Sequence, residues 1–328
     1  VSSDLENPTI YVASNADRDA SSEWRIGIGG YLRTKFRHIE DDPDVSFVGR
    51  NDGFVLGDAR LSLHGSMKNG LGFMFEFDGS VGESDDADVN SPIVDVRMRL
   101  KDTFAYYKPI DQLRVSLGQF KPPYDVEELT SNAELLFVDE SVASRGVRNV
   151  EGYNVDGLSL TREVGLRVDG EPYYFLSDDG DAEGPGASYA LAVTNGQDAN
   201  RNLNDNDRLA YYGRGALHWG EYVRLGGAYF YNEEQAGELP DPVDIETRGW
   251  TADLTFTGFG VTAIGSIMQQ TEAPFQGAAA DEAERTARGY QAQIAYEEPF
   301  IGLQPAYRYA YYDPSADYGG ESGDAESI

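Results

Sequence analysis

Six basic residues fall into two triplets that occupy every second position: Arg33, Lys35 and Arg37 in WRIGIGGYLRTKFRH (24–38), and Arg97, Arg99 and Lys101 in VDVRMRLK (94–101). Side chains alternate across a β-strand with period two, so each triplet projects from one strand face as a ladder of positive charge. Arg60 and Arg114 hold the same kind of position in their own strand-like segments, and Lys121 stands where such a segment passes into a long connection. Rows of Arg and Lys along a narrow, water-filled passage lower the barrier to anions and raise it to cations. The chemistry offered is conduction of small anions, with no bond made or broken.

Motifs for bond chemistry are missing. There is no G-x-S-x-G elbow, no H-E-x-x-H, no Walker loop and no dinucleotide fingerprint. His64 shares its face with Ser62 and Ser66, but residues two apart on one strand lie about 7 Å from each other, too far for a catalytic hydrogen bond. The stretch DANRNLND from Asp198 starts like a calcium loop, yet Leu203 stands where Gly is needed and Leu209 where Glu is needed. The chain has no cysteine, in keeping with assembly in an oxidising envelope space. The sequence therefore predicts no enzyme, no catalytic residue, no metal site, no cofactor and no nucleic-acid partner.

The face opposite the cations is apolar. Trp24, Ile26, Ile28, Leu32 and Phe36 oppose the first triplet. Val55, Ala59, Leu61, Leu63 and Met67 oppose Asp58, Arg60, Ser62, His64 and Ser66 in the next run, and Leu71, Phe73, Phe75, Phe77 and Val81 oppose Glu76, Asp78 and Ser80 in the third. In residues 94–107 the same rule sets Val94, Val96, Met98, Leu100, Phe104 and Tyr106 against the second triplet and Thr103. Strands this long, oily on one face and charged on the other, suit a tilted bilayer crossing of about 9 to 11 residues. Mean hydropathy is −0.48 and no apolar run reaches the length of a membrane helix, which a barrel wall does not need.

The connections alternate. Short ones (67–70, 108–111, 218–222, 258–260, 298–302) follow long ones at about 39–53, 82–92, 121–151, 197–207, 232–247, 272–286 and 313–328. Short turns at one end and elaborated loops at the other describe a transmembrane, antiparallel, up-and-down β-barrel. About 13 strands are expected: the four above, then 112–120, 153–163, 187–195, 208–218, 222–232, 247–257, 260–270, 287–297 and 302–312. An extra strand-like piece, EPYYFLS, lies between the sixth and seventh. Single-chain barrels have even strand numbers. Either the interval 163–186 hides a hairpin or about three last strands lie beyond Ile328; the second reading is preferred and gives 16. Residues 1–23 read as an N-terminal segment with any secretory signal already removed, and 24–328 as one barrel domain.

Charge is sorted by place. The net charge is −31, yet the long loops other than 121–151 hold most of the excess acid, with only Arg50, Arg201 and Arg285 against it. On the predicted inner face, Arg25, Arg208, Arg214, Arg224 and Arg308 join the cations already named. Asp58, Glu76, Asp78, Asp95, Asp253 and Glu297 oppose them. The lumen is thus expected to be cationic and anion-preferring, although individual cations could equally be paired with neighbouring acids.

Residues 118–146, GQFKPPYDVEELTSNAELLFVDESVASRG, resemble the phosphate-selective porin O and P family, whose third loop starts with an EELTS-like run after a GQFK-like strand end. ARLSLHGSMKNGLGFMFEFD (59–78) and DTFAYYKP (102–109) resemble that family's second to fourth strands. The resemblance implies a 16-stranded homotrimeric porin of the bacterial outer membrane, in contact with lipid and lipopolysaccharide, with the third loop folded into the lumen as a constriction. Here that loop carries Glu127, Glu128, Asp139 and Glu140, so its eyelet need not be purely cationic and phosphate preference does not follow from the resemblance. Lys121 is either an anion contact or a pin for its own loop's carboxylates. Within the porin class the alternative is a general-diffusion or sugar-selective pore, with Tyr31, Tyr107, Tyr212 and Phe230 facing inward to stack on sugar rings. A soluble β-sandwich would need a packed partner sheet for Phe73, Phe75 and Phe77, and a barrel hydrolase would need a nucleophile and base in contact.

Overall fold

The computed structural model describes residues 24–42, 48–49, 52–80, 98–148, 151, 155–175, 184–197, 199–201, 204, 206–236, 243–276 and 284–315. Thirteen antiparallel strands form one sheet in chain order: β1 (Trp24–Arg37), β2 (Gly53–Met67), β3 (Leu71–Asp78), β4 (Arg99–Ile110), β5 (Leu113–Phe120), β6 (Glu163–Tyr174), β7 (Pro185–Thr194), β8 (Ala210–Trp219), β9 (Val223–Ala236), β10 (Val243–Gly258), β11 (Val261–Gln276), β12 (Arg285–Tyr296) and β13 (Ala306–Asp313). Every strand pairs with its sequence neighbour, the meander that alternating connections predict. Among the described residues β1 and β13 each pair with one neighbour. The sheet curls, because side chains from both end strands reach the same loop residue, Asp139.

Large apolar side chains point away from the lumen and stay exposed: Leu32, Phe36, Phe54, Leu117, Leu217, Leu225 and Leu254 among them. A water-soluble protein would bury such residues, whereas a barrel wall shows them to lipid. The buried residues lie inside, beneath the loop between β5 and β6.

Three expectations are corrected. The sixth strand is Glu163–Tyr174 rather than 153–163, so EPYY belongs to β6 itself and the third loop extends to Arg162. Connections read as loops at 232–247 and 272–286 are shortened, because β9 to β12 run on past the bilayer-spanning length. Facing also changes at bulges. Between Phe75↔Thr103 and Phe77↔Leu100 the ladder holds an extra residue in β4, so Lys101 and Asp102 both turn inward, and Phe104 and Tyr106 follow Asp102 to the inside. A second bulge, at Gly57, pairs Val55 with Lys35 on the inner face.

Candidate functional site in the barrel lumen

The third loop, Lys121–Arg162, is built from two helical turns. In α1 (Val126–Leu129) the Asp125 carboxylate caps the helix, accepting from the Glu127 and Glu128 backbone N–H groups at 3.2 and 3.4 Å. In α2 (Val142–Arg145) Ser141 Oγ accepts from Ser144 N–H at 3.3 Å, and Gly146 ends the turn with φ +75°, a conformation that favours glycine. Glu127 braces the two turns, accepting from Ser141 N–H (3.0 Å) and Ser144 Oγ–H (2.8 Å).

One side of the loop is apolar and lies on the inner wall of β8 to β13. Tyr124, Val142, Ala143 and Leu158 pack against Tyr212, Phe230, Met268 and Tyr312. The Tyr124 ring meets Phe230 edge-on at 4.9 Å, and its hydroxyl donates to Trp250 O at 3.1 Å. The wall makes room with small residues. A Cβ at Gly249 would stand 2.5 Å from the Phe230 ring, and one at Gly289 would stand 2.7 Å from Ala143 Cβ.

The other side is polar and is clasped by the two end strands. Lys35 Nζ on β1 donates to both Asp139 oxygens (2.6 and 2.5 Å), Arg33 donates to Val138 O, and Asn132 Nδ2 donates to Asp58 on β2 at 3.3 Å. From β13, Arg308 donates to Asp139 O (2.8 Å) and Glu140 O (3.3 Å), stands 3.5 Å from the Glu127 carboxylate and covers the Phe137 ring at 4.5 Å. Burial opposes ionisation of Asp139, but Arg148 and Lys35 beside it outweigh that and hold its carboxyl at about 2. Burial, reinforced by Glu127, raises Asp125 to about 6. Burial among Glu128, Asp125 and Glu127 raises Glu140 to about 8, although Lys121 pulls the other way. Near neutral pH the loop is therefore less negative than its composition suggests.

The described members of the two ladders, and Arg60, Arg114 and Lys121 with them, have definite places. Arg33, Lys35 and Arg37 alternate with the exposed Leu32, Thr34 and Phe36, so the first ladder does point inward. Arg33 pairs with Asp58. Arg60 sits among Glu76 (3.0 Å), Asp58 (3.3 Å) and Asp78 (3.7 Å), its guanidinium over the Tyr31 ring. Arg99 stands opposite Asp78, and Lys101 lies 3.7 Å from the same carboxylate. Arg97 lies outside the described residues. Arg114 binds Asp169 at 3.1 Å. Lys121 is buried against its own loop, donating to the Glu128 and Thr130 carbonyls beside the Glu128 carboxylate. Of the aromatics suited to sugar stacking, Tyr107 faces outward, and Tyr212 and Phe230 are buried beneath Tyr124.

Sequence reasoning missed several luminal partners. Arg162 closes the loop against Asp102 (3.0 Å), Glu128 (3.7 Å) and Glu76 (3.8 Å). Arg167 shares Asp169 with Arg114, just as Arg224 and Arg214, both expected on the inner face, share the expected Asp253. Strict alternation from Leu166 marks Arg167 and Asp169 as inward. Asp102 was hidden by the bulge.

A family model described as "phosphate-selective porin O and P" matches residues 28–234. The chain belongs to that family. This porin is accordingly a channel of the bacterial outer membrane rather than an enzyme. Its fold is similar to that of an anion-selective porin from Comamonas acidovorans, at 14% identity and TM-score 0.54 over 90% of this chain and 80% of that one. It is also similar to the outer-membrane channel DcaP of Acinetobacter baumannii, at 13% identity and TM-score 0.46 over 92% and 94% of the two chains. No curated protein matches the porin's sequence.

Proposed function

We propose that this porin prefers anions because its luminal carboxylates are shared between cations. The observation that carries this is the two-to-one pattern in the half of the lumen nearer the short turns, where Asp169 serves Arg114 and Arg167 and Asp253 serves Arg214 and Arg224. Each set keeps a net positive charge in a low-dielectric wall, which favours a passing anion. The knot around Arg60 and Arg162 is closer to balance, so it orders the wall more than it selects. Small anions such as chloride and phosphate are the permeant solutes in this reading, and the protein works as a homotrimer in contact with lipid and lipopolysaccharide. The anion-selective description of the Comamonas porin points the same way. A sugar-selective pore is disfavoured by the burial of Tyr212 and Phe230.

The test is a planar-bilayer reversal potential across a potassium chloride gradient, repeated with phosphate. The expected result is chloride preferred over potassium, with Arg167→Glu plus Arg224→Glu, one cation from each two-to-one set, abolishing or reversing the preference. Equal permeability in the parent would overturn the proposal.

A further inference from the structure

The outer wall is not uniform around its circumference. On β1 to β3 the outward aromatics lack a hydroxyl group: Phe36, Phe54, Phe73 and Phe75, with Trp24 beside Phe73 at 5.4 Å. On β12 and β13 they are tyrosines, stacked as Tyr290 on Tyr311 (5.1 Å) with Tyr309 at 6.1 Å. Aromatic rings with a polar handle mark the boundary between hydrocarbon and headgroups. Two residues further toward the loop end, on the same outward face, stand Arg248 above Trp250 and Arg288 above Tyr290. Both arginines are exposed and held outside the lumen. Arg248 is steadied by Glu284 at 3.4 Å and Glu246 at 3.7 Å, and Arg288 Nε donates to Gln269 Oε1 at 3.1 Å.

We propose that Arg248 and Arg288 form a binding site for the phosphorylated sugar headgroup of an outer-leaflet glycolipid. The inference rests on the outer-membrane and lipid-contact reading given above. Guanidinium groups match phosphate oxygens in charge and geometry, and arginines just outside a tyrosine belt sit at the depth of those oxygens. Three carboxylates flank the two arginines, Glu246 and Glu284 beside Arg248 and Asp313 opposite Arg288, so the phosphate enters with its divalent counter-ion, which removes the repulsion between phosphate and carboxylate. The tyrosine belt below takes the first part of the acyl chains.

The experiment uses the full chain in detergent, titrated with diphosphorylated lipid A and magnesium and followed by native mass spectrometry. Removing two interfacial arginines, in Arg248→Ala plus Arg288→Ala, is expected to weaken binding about thirtyfold. In the parent, dephosphorylated lipid A is expected to bind at least tenfold more weakly, chelation of magnesium to weaken the diphosphorylated lipid, and inorganic phosphate to compete poorly. Equal affinity of parent and variant, or of the two lipids for the parent, overturns the proposal. If the double variant loses its heat-modifiable barrel migration, Arg248→Lys plus Arg288→Lys and the two-lipid comparison decide. Bilayer conductance is recorded in parallel. A parent that fails to conduct refutes the channel reading and leaves the lipid result standing, whereas intact conductance with unaltered lipid binding refutes only this site.

Discussion

Asp139→Asn separates the loop's electrostatic role from its anchoring. The substitution removes one negative charge at the point where Lys35 and Arg148 converge, yet the carbonyls of Asp139 and Glu140 stay bound to Arg308. A unit charge about 5 Å from the ion path is worth about 0.8 kcal/mol in a water-like dielectric, or about fourfold in a rate. The change assists anions and opposes cations, so the anion-to-cation permeability ratio should rise by about an order of magnitude. Reversal potentials near 0.1 M salt read it directly, because the screening length there is about 10 Å, and the effect should nearly vanish at about 1 M. In the parent the depressed Asp139 pKa means that the ion pair contributes above the ordinary carboxylate value of 3.8 and is lost as pH falls through about 2, so the tip stays latched at neutral pH. The latch is worth about 2 kcal/mol. An unchanged or lowered permeability ratio at low salt would refute the reasoning. A raised conductance with selectivity lost would show instead that Asp139 is needed to keep the tip on the wall.

Two further outcomes are expected. Because Glu140 is neutral below about 8 and ionises beside Glu128 and Asp125 above it, anion preference in the parent should fall, and the loop loosen, as pH rises through that value. Glu140→Gln should remove this step from a reversal-potential titration. Tyr124→Ala takes away the ring docked on Phe230, a cost of about 3 to 5 kcal/mol, and should raise both single-channel conductance and proteolytic cleavage within 121–162.

The wall was legible in the sequence because period-two alternation survives wherever the ladder is regular. Arg33, Lys35 and Arg37 point inward as alternation requires. It failed at single extra residues. The bulge in β4 reversed Phe104 and Tyr106 and added Asp102 to the lumen, and the one at Gly57 turned Val55. An extra residue leaves no mark in composition, so period-two counting runs straight through it. The loop was legible as a constriction only through resemblance, but its seat had a physical signal. Inward positions Ala192, Ala210, Ala228, Gly249, Gly289 and Ala310 are small where a water-lined wall has no need of small residues. Pairing was the least legible feature, since a cation such as Arg114 finds its acid on the next strand and Lys35 finds its own about a hundred positions away.

The grip of Arg308 on residue 139 spans 169 positions of sequence. Contacts of such separation close after local hairpins have formed, since the intervening chain must first be ordered. During biogenesis the eyelet therefore tightens near the end: the loop's apolar side finds its seat only once the later strands that carry Phe230, Met268 and Tyr312 are in place, and its tip is clasped only when β13 brings Arg308. An arrested intermediate would leave a wider and less discriminating hole than the finished pore.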